Sequence, residues 1–244
     1  MKLTEKFKHI YVLTLSSRPD RYEHIKNQLE CMGIGIDEVT VHYATPFPYN
    51  DIIAETFNKT GKGKFSKPNE YDCARNHYGI VREAFDRGFE NVLILEDDIE
   101  FLNNDVEWNR ALTTIPSDFD IIQFGGFAYQ PEVKKYVTKY NVNYVKHRDV
   151  GIWNCSMYAL SRRGMEFYLA FMNKFFWVAD GPLYKAPIND KIVNTYITTV
   201  PMVIQADKNR ITSDIRNAEN DSIDYNNDNQ YECMIKPSEY FGEN

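Results

Sequence analysis

The sequence predicts an α/β protein whose mainly parallel sheet carries helices on both faces. Three observations predict it. Apolar runs of strand length alternate along the chain with segments of helical periodicity, the pattern of a layered α/β fold. The run Val92-Leu93-Ile94-Leu95 contains no Gly or Pro and no polar alternation, as in a strand buried on both faces. That run stops abruptly in Glu96-Asp97-Asp98, and in open α/β sheets ligands sit beyond the carboxyl ends of the strands.

The elements follow in order. His9 to Leu15 reads as the first strand. Ser17-Arg18-Pro19-Asp20 then has the form of a capping box, with Tyr22, Ile25, Leu29 and Met32 at helical spacing and Gly33 as the stop. A second strand is expected at about Glu38 to Tyr43. Residues 44–69 hold three prolines and two glycines, and a connection of that length is more often functional than a plain linker. A helix from about Glu70 to Arg87 precedes the acid-tipped strand. A helix near Val106 to Thr114, a strand at Ile121 to Phe124 and a polar, Tyr/Lys-rich excursion over residues 127–150 come next. Asn154 to Leu160 reads as a strand, and Ser161 caps a helix with the stripe Met165, Tyr168, Leu169, Met172, Phe175 and Phe176. Thr195 to Ile204, rich in β-branched residues, is expected as the last main strand, ahead of a polar tail.

Composition narrows the function classes. A formal net charge of −7 argues against general nucleic-acid binding, which depends on a clustered basic surface. Seventeen Tyr and three Trp suit grooves as well as core, because these residues pair an apolar face with a polar tip. The N-terminal residues lack the apolar stretch of a signal peptide, and no window approaches a membrane span. The four cysteines match no zinc or redox spacing and are expected as reduced structural thiols of a cytosolic protein. With 35 acids in the chain, an acidic triplet arises by chance about 0.7 times per sequence, so its place at a strand end carries the information.

Five segments stand in a telling order: IYVLTLSSRPDR (residues 10–21), CARNH (73–77), VLILEDD (92–98), MYALSRRG (157–164) and the stretch 200–215 with Gln205 and Ser213-Asp214-Ile215. Together they resemble glycosyltransferase family 25, which includes bacterial lipooligosaccharide galactosyltransferases and collagen galactosyltransferases. The resemblance covers roughly residues 8–216. It implies one GT-A-like domain over residues 1–216, with a donor half to about residue 125, an acceptor half from about 126 and a tail over 217–244. It further implies inverting sugar transfer, often of galactose from UDP-galactose, with the acidic triplet in the place of an Asp-x-Asp metal site. Thr14 stands where the family usually has Asn, and Asp72 where it usually has Gly.

Each residue then has an expected role. Sugar transfer from a nucleotide sugar needs the diphosphate leaving group stabilised, which Mn²⁺ or Mg²⁺ does, and the acceptor hydroxyl deprotonated. On an extended strand Glu96 and Asp98 share a face while Asp97 points away. Asp98 is therefore expected as the direct metal ligand, with Glu96 near the ribose or the metal's waters, and Asp97 joining if the strand ends before it. Arg18 and Arg21, at a helix start, suit phosphate oxygens, and Thr14 and His77 complete the donor side; a buried, hydrogen-bonded histidine is the plainer reading of His77. The general base is expected to be Asp180, with Asp190 second. Trp153 and Trp177 stack on the acceptor ring or pack in the core, and Gln205, Ser213 and Asp214 close the site from the C-terminal side. The partners expected are a nucleotide-sugar donor, UDP-galactose favoured, and a glycan or glycolipid acceptor. The place expected is the cytoplasm, with peripheral membrane association through the acceptor at the inner face of the cytoplasmic membrane. The competing readings are a non-catalytic carbohydrate- or nucleotide-sugar-binding relative and a nucleotidyltransferase.

Overall fold

The computed structural model describes residues 2–45, 68–102, 105–125, 137–147, 153–186, 192–199 and 202–206. A short helix α1 (Leu3–Lys6) leads into β1 (Ile10–Thr14), α2 (Pro19–Cys31) and β2 (Thr40–Tyr43). Then come α3 (Pro68–Asp86), β3 (Asn91–Glu96), β4 (Ile99–Phe101), α4 (Asp105–Thr113) and β5 (Ile121–Gln123). The rest comprises β6 (Val137–Lys139), β7 (Tyr144–His147), β8 (Met157–Ser161), α5 (Arg162–Phe175), α6 (Gly181–Lys185), β9 (Thr195–Thr198) and β10 (Val203–Gln205).

Eight strands form one sheet in the order β2-β1-β3-β8-β5-β9-β7-β6, and β4 and β10 pair apart from it. β1 runs parallel to β2 and β3, and β5 parallel to β9. β8 runs against both β3 and β5, and β7 against both β9 and β6. Six strands therefore share one direction, and β8 and β7 oppose it. The central strands are apolar because both faces are covered. In β3, Leu93 and Leu95 face α2 and α4, with Ile25, Leu29, Trp108 and Leu112, whereas Val92 and Ile94 face α3 and α5, with Ala74, Val81, Met165 and Tyr168. Each such side chain, removed fully from water, contributes about 1.5–3 kcal/mol. No helix among the described residues is long and apolar enough to cross a membrane.

Four local expectations need correction. The N-cap of α2 is Arg18, with no side-chain cap, because Pro19 already occupies the first helical turn; Ser17 does not close a capping box. Residues 137–147, expected within a polar excursion over the site, form the β6–β7 hairpin at the sheet edge, held by the buried Tyr144, whose hydroxyl donates to the Ala111 carbonyl at 3.2 Å. The single strand expected over residues 195–204 is two, since β9 belongs to the large sheet and β10 pairs with β4. β8 begins at Met157 rather than at Asn154.

Ser161 caps α5 as expected, accepting from the Gly164 amide at 3.1 Å. Gly164 is required there by space: a Cβ would run into the Asp120 carbonyl oxygen, and Asp120 in turn accepts from the Ser161 amide and hydroxyl. Gly164→Ala is expected to lower unfolding stability by about 1–3 kcal/mol, as overpacking against backbone does. Urea midpoints measured by circular dichroism check this; an unchanged midpoint would show that the first turn of α5 yields freely.

Candidate active site at the carboxyl end of β3

β3 ends at Glu96, and Asp97-Asp98 form the turn into β4. The strand end splits the three acids. Glu96 continues the face of Val92 and Ile94 and points to α3, whereas Asp97 turns back to β1 and α2. Asp97 is buried (3% exposed) and accepts from the Thr14 hydroxyl at 2.8 Å and from Arg21 Nη1 at 2.8 Å. Arg21, itself 7% exposed, also reaches Asp98 Oδ2 through Nη2 at 3.3 Å. The other Asp98 oxygen, Oδ1, is buried with no hydrogen-bond partner among the described residues. Burial, with Glu96 beside it, pushes the Asp98 carboxyl up to about 7 against the pull of Arg21. Burial likewise raises Asp97, with Arg21 and Thr14 opposing. A buried carboxylate oxygen without a partner, on a turn already rich in negative charge, suits a hard divalent cation.

On the other side of the strand lies His77, fully buried on α3. Its Nδ1 is 2.9 Å from the Tyr158 hydroxyl and its Nε2 3.1 Å from Glu96 Oε1. Burial opposes the imidazolium, but Cys73 and Glu96 outweigh it and raise the His77 pKa. The same pairing holds Glu96 below its ordinary range in spite of burial. The Cys155 thiol lies 3.2 Å and the Ser156 hydroxyl 3.4 Å from the Glu96 carboxylate.

The third component is Asp180, the N-cap residue of α6. Its Oδ2 accepts from the Asn154 backbone amide at 3.1 Å, and Asn154 holds a left-handed φ of 113°. The carbonyl of Asn154 accepts from Gln123 Nε2 at 2.9 Å. Burial raises the Asp180 carboxyl to about 6, the Asn154 amide opposing. Next to it Trp153 stacks on Tyr184 at 4.0 Å between ring centroids, and Trp177 meets Trp153 edge-on at 5.7 Å. Gly181 leaves room for this: a Cβ there would sit 3.0 Å from the Trp177 ring.

Known proteins share this sequence pattern. A family model described as "Glycosyltransferase family 25 (LPS biosynthesis protein)" matches residues 7–180. The chain belongs to glycosyltransferase family 25.

Among family 25 relatives, the human inactive glycosyltransferase 25 family member 3 is 28% identical over 104 residues, 40% of this chain and 18% of that protein. The procollagen galactosyltransferase 1-B of Xenopus laevis is 25% identical over 121 residues, 47% of this chain and 19% of that protein. The chain thus matches less than a fifth of the length of either relative. Among solved structures, the mannose-1-phosphate geranyltransferase of Thermus thermophilus superposes with a TM-score of 0.42 at 14% identity, covering 78% of this chain and 73% of that one. A glycosyltransferase involved in glycosylation of the major capsid of PBCV-1 gives 0.35 at 12% identity, covering 68% and 67%.

In this family 25 chain the candidates fall into separate groups. Thr14, Arg21, Asp97 and Asp98 form one network, with Arg18 at the start of the same helix, 2.7 Å from Asp20. His77 and Glu96 form another on the opposite face of β3. Trp153, Trp177 and Asp180 come together as a third cluster. Gln205, expected on the acceptor side, lies in β10 against β4, and the following Ala206 amide donates to the Asp98 carbonyl at 2.6 Å; its strand therefore braces the acid turn. Asp190, Ser213 and Asp214 lie outside the described residues. Cys73, Cys155 and Tyr158, none of them a candidate from the sequence, gather around His77 and Glu96. The i, i+4 spacing of Cys73 and His77 is a signal in the sequence; nothing there brings Cys155 to them.

Proposed function

We propose that this chain is an inverting glycosyltransferase that moves a hexose, galactose favoured, from a nucleotide-diphosphate sugar to a hydroxyl of a glycan or glycolipid acceptor. The cellular role proposed is bacterial surface-polysaccharide or lipooligosaccharide assembly in the cytoplasm, at the inner face of the membrane that carries the acceptor. The observation that carries this reading is Asp98 Oδ1, a buried and unpartnered carboxylate oxygen at the carboxyl end of a central strand.

Asp98 would hold Mn²⁺ or Mg²⁺, and the bound cation supplies positive charge to the departing nucleoside diphosphate. Arg21 keeps both turn carboxylates in place, and Thr14 fixes Asp97 behind them. Asp180 takes the proton from the acceptor hydroxyl as that oxygen attacks the anomeric carbon opposite the leaving group. A carboxyl raised to about 6 is a stronger base than an ordinary aspartate while still ionised at neutral pH. Trp153 and Trp177 offer an apolar face to the acceptor ring.

A panel of nucleotide sugars, scored for Mn²⁺-dependent release of nucleotide, tests the reading. UDP-galactose is expected to turn over best, and Asp98→Ala to abolish the metal-dependent part. The reading fails if no donor binds or turns over with metal and Asp98→Ala leaves nucleotide binding unchanged. One observation favours a binding-only protein instead: Arg21 already sets positive charge against Asp97 and Asp98. For such a protein, donor binding without turnover is the expected outcome.

A further inference from the structure

Behind the acid turn, on the α3 face of the sheet, Cys73, His77 and Glu96 bring one donor atom each within 4.8 Å of one another. We propose that these three residues form a binding site for a thiophilic divalent cation of the zinc class, adjoining the hard-cation site at Asp98 but built from other donor atoms.

The backbone supplies the arrangement. Cys73 and His77 are four residues apart on α3 and so lie one turn above the other on one face. Glu96, the last residue of β3, faces them. Glu96 Oε1 stands 3.1 Å from His77 Nε2 and 4.0 Å from Cys73 Sγ. Metal–ligand bonds of about 2.0–2.3 Å in a tetrahedron put neighbouring donor atoms about 3.3–3.8 Å apart, so these separations need only a small adjustment to accept an ion. Cys155, whose Sγ is 3.2 Å from the same Glu96 oxygen, stands ready as a further sulfur donor.

The imidazole is oriented for the task. Its Nδ1 faces the Tyr158 hydroxyl at 2.9 Å, which leaves Nε2 for the ion, as in metal sites whose histidine is held by an outer partner. Charge also balances: a thiolate, a carboxylate and a neutral imidazole neutralise a divalent cation. The cation takes the electron pairs of Cys73 Sγ and His77 Nε2, and the protons those atoms carried leave to solvent. Sulfur and imidazole donors favour zinc over Mg²⁺ or Mn²⁺, whereas the all-oxygen Asp98 turn favours the reverse. His77 is fully buried there, and Cys73 and Glu96 are half-buried. An ion there would tie α3 to the end of β3.

Cobalt substitution tests this without any sugar donor. The protein is stripped with chelator under reductant, using the Cys31→Ser/Cys233→Ser variant so that Cys73 and Cys155 are the only thiols. Co²⁺ is then added and displaced with Zn²⁺. The expected result is one Co²⁺ per chain with a thiolate-to-cobalt charge-transfer band in the near ultraviolet, lost on adding Zn²⁺. Cys73→Ser is expected to abolish or sharply weaken the band. Tyr158→Phe keeps every donor atom and is expected to weaken affinity about 10–100-fold, which keeps the test usable if Cys73→Ser misfolds. Asp98→Asn is expected to retain the band. No band in the parent variant, or a band lost in Asp98→Asn but kept in Cys73→Ser, would overturn the proposal. Since the readout needs no nucleotide sugar, failure of glycosyl transfer leaves it intact, and failure of the band leaves the Mn²⁺-dependent reaction to stand or fall by itself.

Discussion

Asp180→Asn is expected to lower kcat by about 10²–10⁴-fold while the donor KM stays within about twofold, since general-base catalysis contributes on that scale and Asp180 is assigned no donor contact. The pH profile sharpens the expectation. A base acts only when deprotonated, so the rate of the native protein rises with pH through the Asp180 titration. Burial sets that at about 6, whereas an unperturbed aspartate would place the rise near about 4. The limb near 6 should vanish in Asp180→Asn and persist in Trp177→Phe, which alters the acceptor platform but leaves the carboxylate. Steady-state kinetics across the acid range measures both. Lost donor affinity together with an unchanged acid limb would place Asp180 in the donor pocket.

The largest expected loss of stability comes from Arg21→Met. The substitution keeps most of the apolar stem and removes the cation that faces Asp97 and Asp98, whose side chains are 4% and 14% exposed. Breaking one side of a buried ion pair costs about 3–5 kcal/mol, because the stranded charge and not merely the lost contact is at issue. The pH dependence has a definite sign. Both carboxyls already have folded-state pKa values above those of the unfolded chain, and without Arg21 they rise further. A raised carboxyl contributes stability at acid pH that is lost as pH climbs through the folded value. The deficit of Arg21→Met is therefore expected to be larger at pH 8 than at pH 5. Urea unfolding at the two pH values measures it, and Asp97→Asn placed on top of Arg21→Met should restore part of the loss. An equal deficit at both pH values would show that Arg21 acts by packing alone.

What was legible in the sequence was what repeats at a fixed period. The unbroken apolar run of β3 announces burial on both faces, and the stripe of α5 announces one buried face; Met165, Tyr168, Leu169 and Met172 are all buried. The same local signals say nothing about direction. Met157 to Leu160 reads alike upward or downward, so the antiparallel insertion of β8 between β3 and β5 came only with the structure. Strands of three residues, such as β4 and β10, are too short to show a period. The hairpin of β6 and β7 hides in polar composition because it lies at the end of the sheet, where Tyr144 and Val145 turn into the core.

The candidate site divides in the same way. Asp97, Asp98 and Arg21 belong to a strand end and the start of a neighbouring helix, places where α/β sheets collect charge, but the sequence pointed Arg21 at phosphate and Asp97 away from Asp98; that the arginine grips both carboxylates came with the structure. The approach of Cys155 to Glu96 spans 59 residues, and that of Asp180 to Asn154 spans 26; neither leaves a trace in local pattern.

Asn154 holds Asp180 through its main-chain amide, and the turn that presents that amide is itself closed by the Asn154 side chain, whose Oδ1 accepts from the Ser156 amide. At a φ of 113° most side chains other than asparagine or glycine are strained, so substitutions at residue 154 are expected to loosen the grip on Asp180. Proline is the sharpest case: its ring fixes φ far from 113° and it has no amide hydrogen to give.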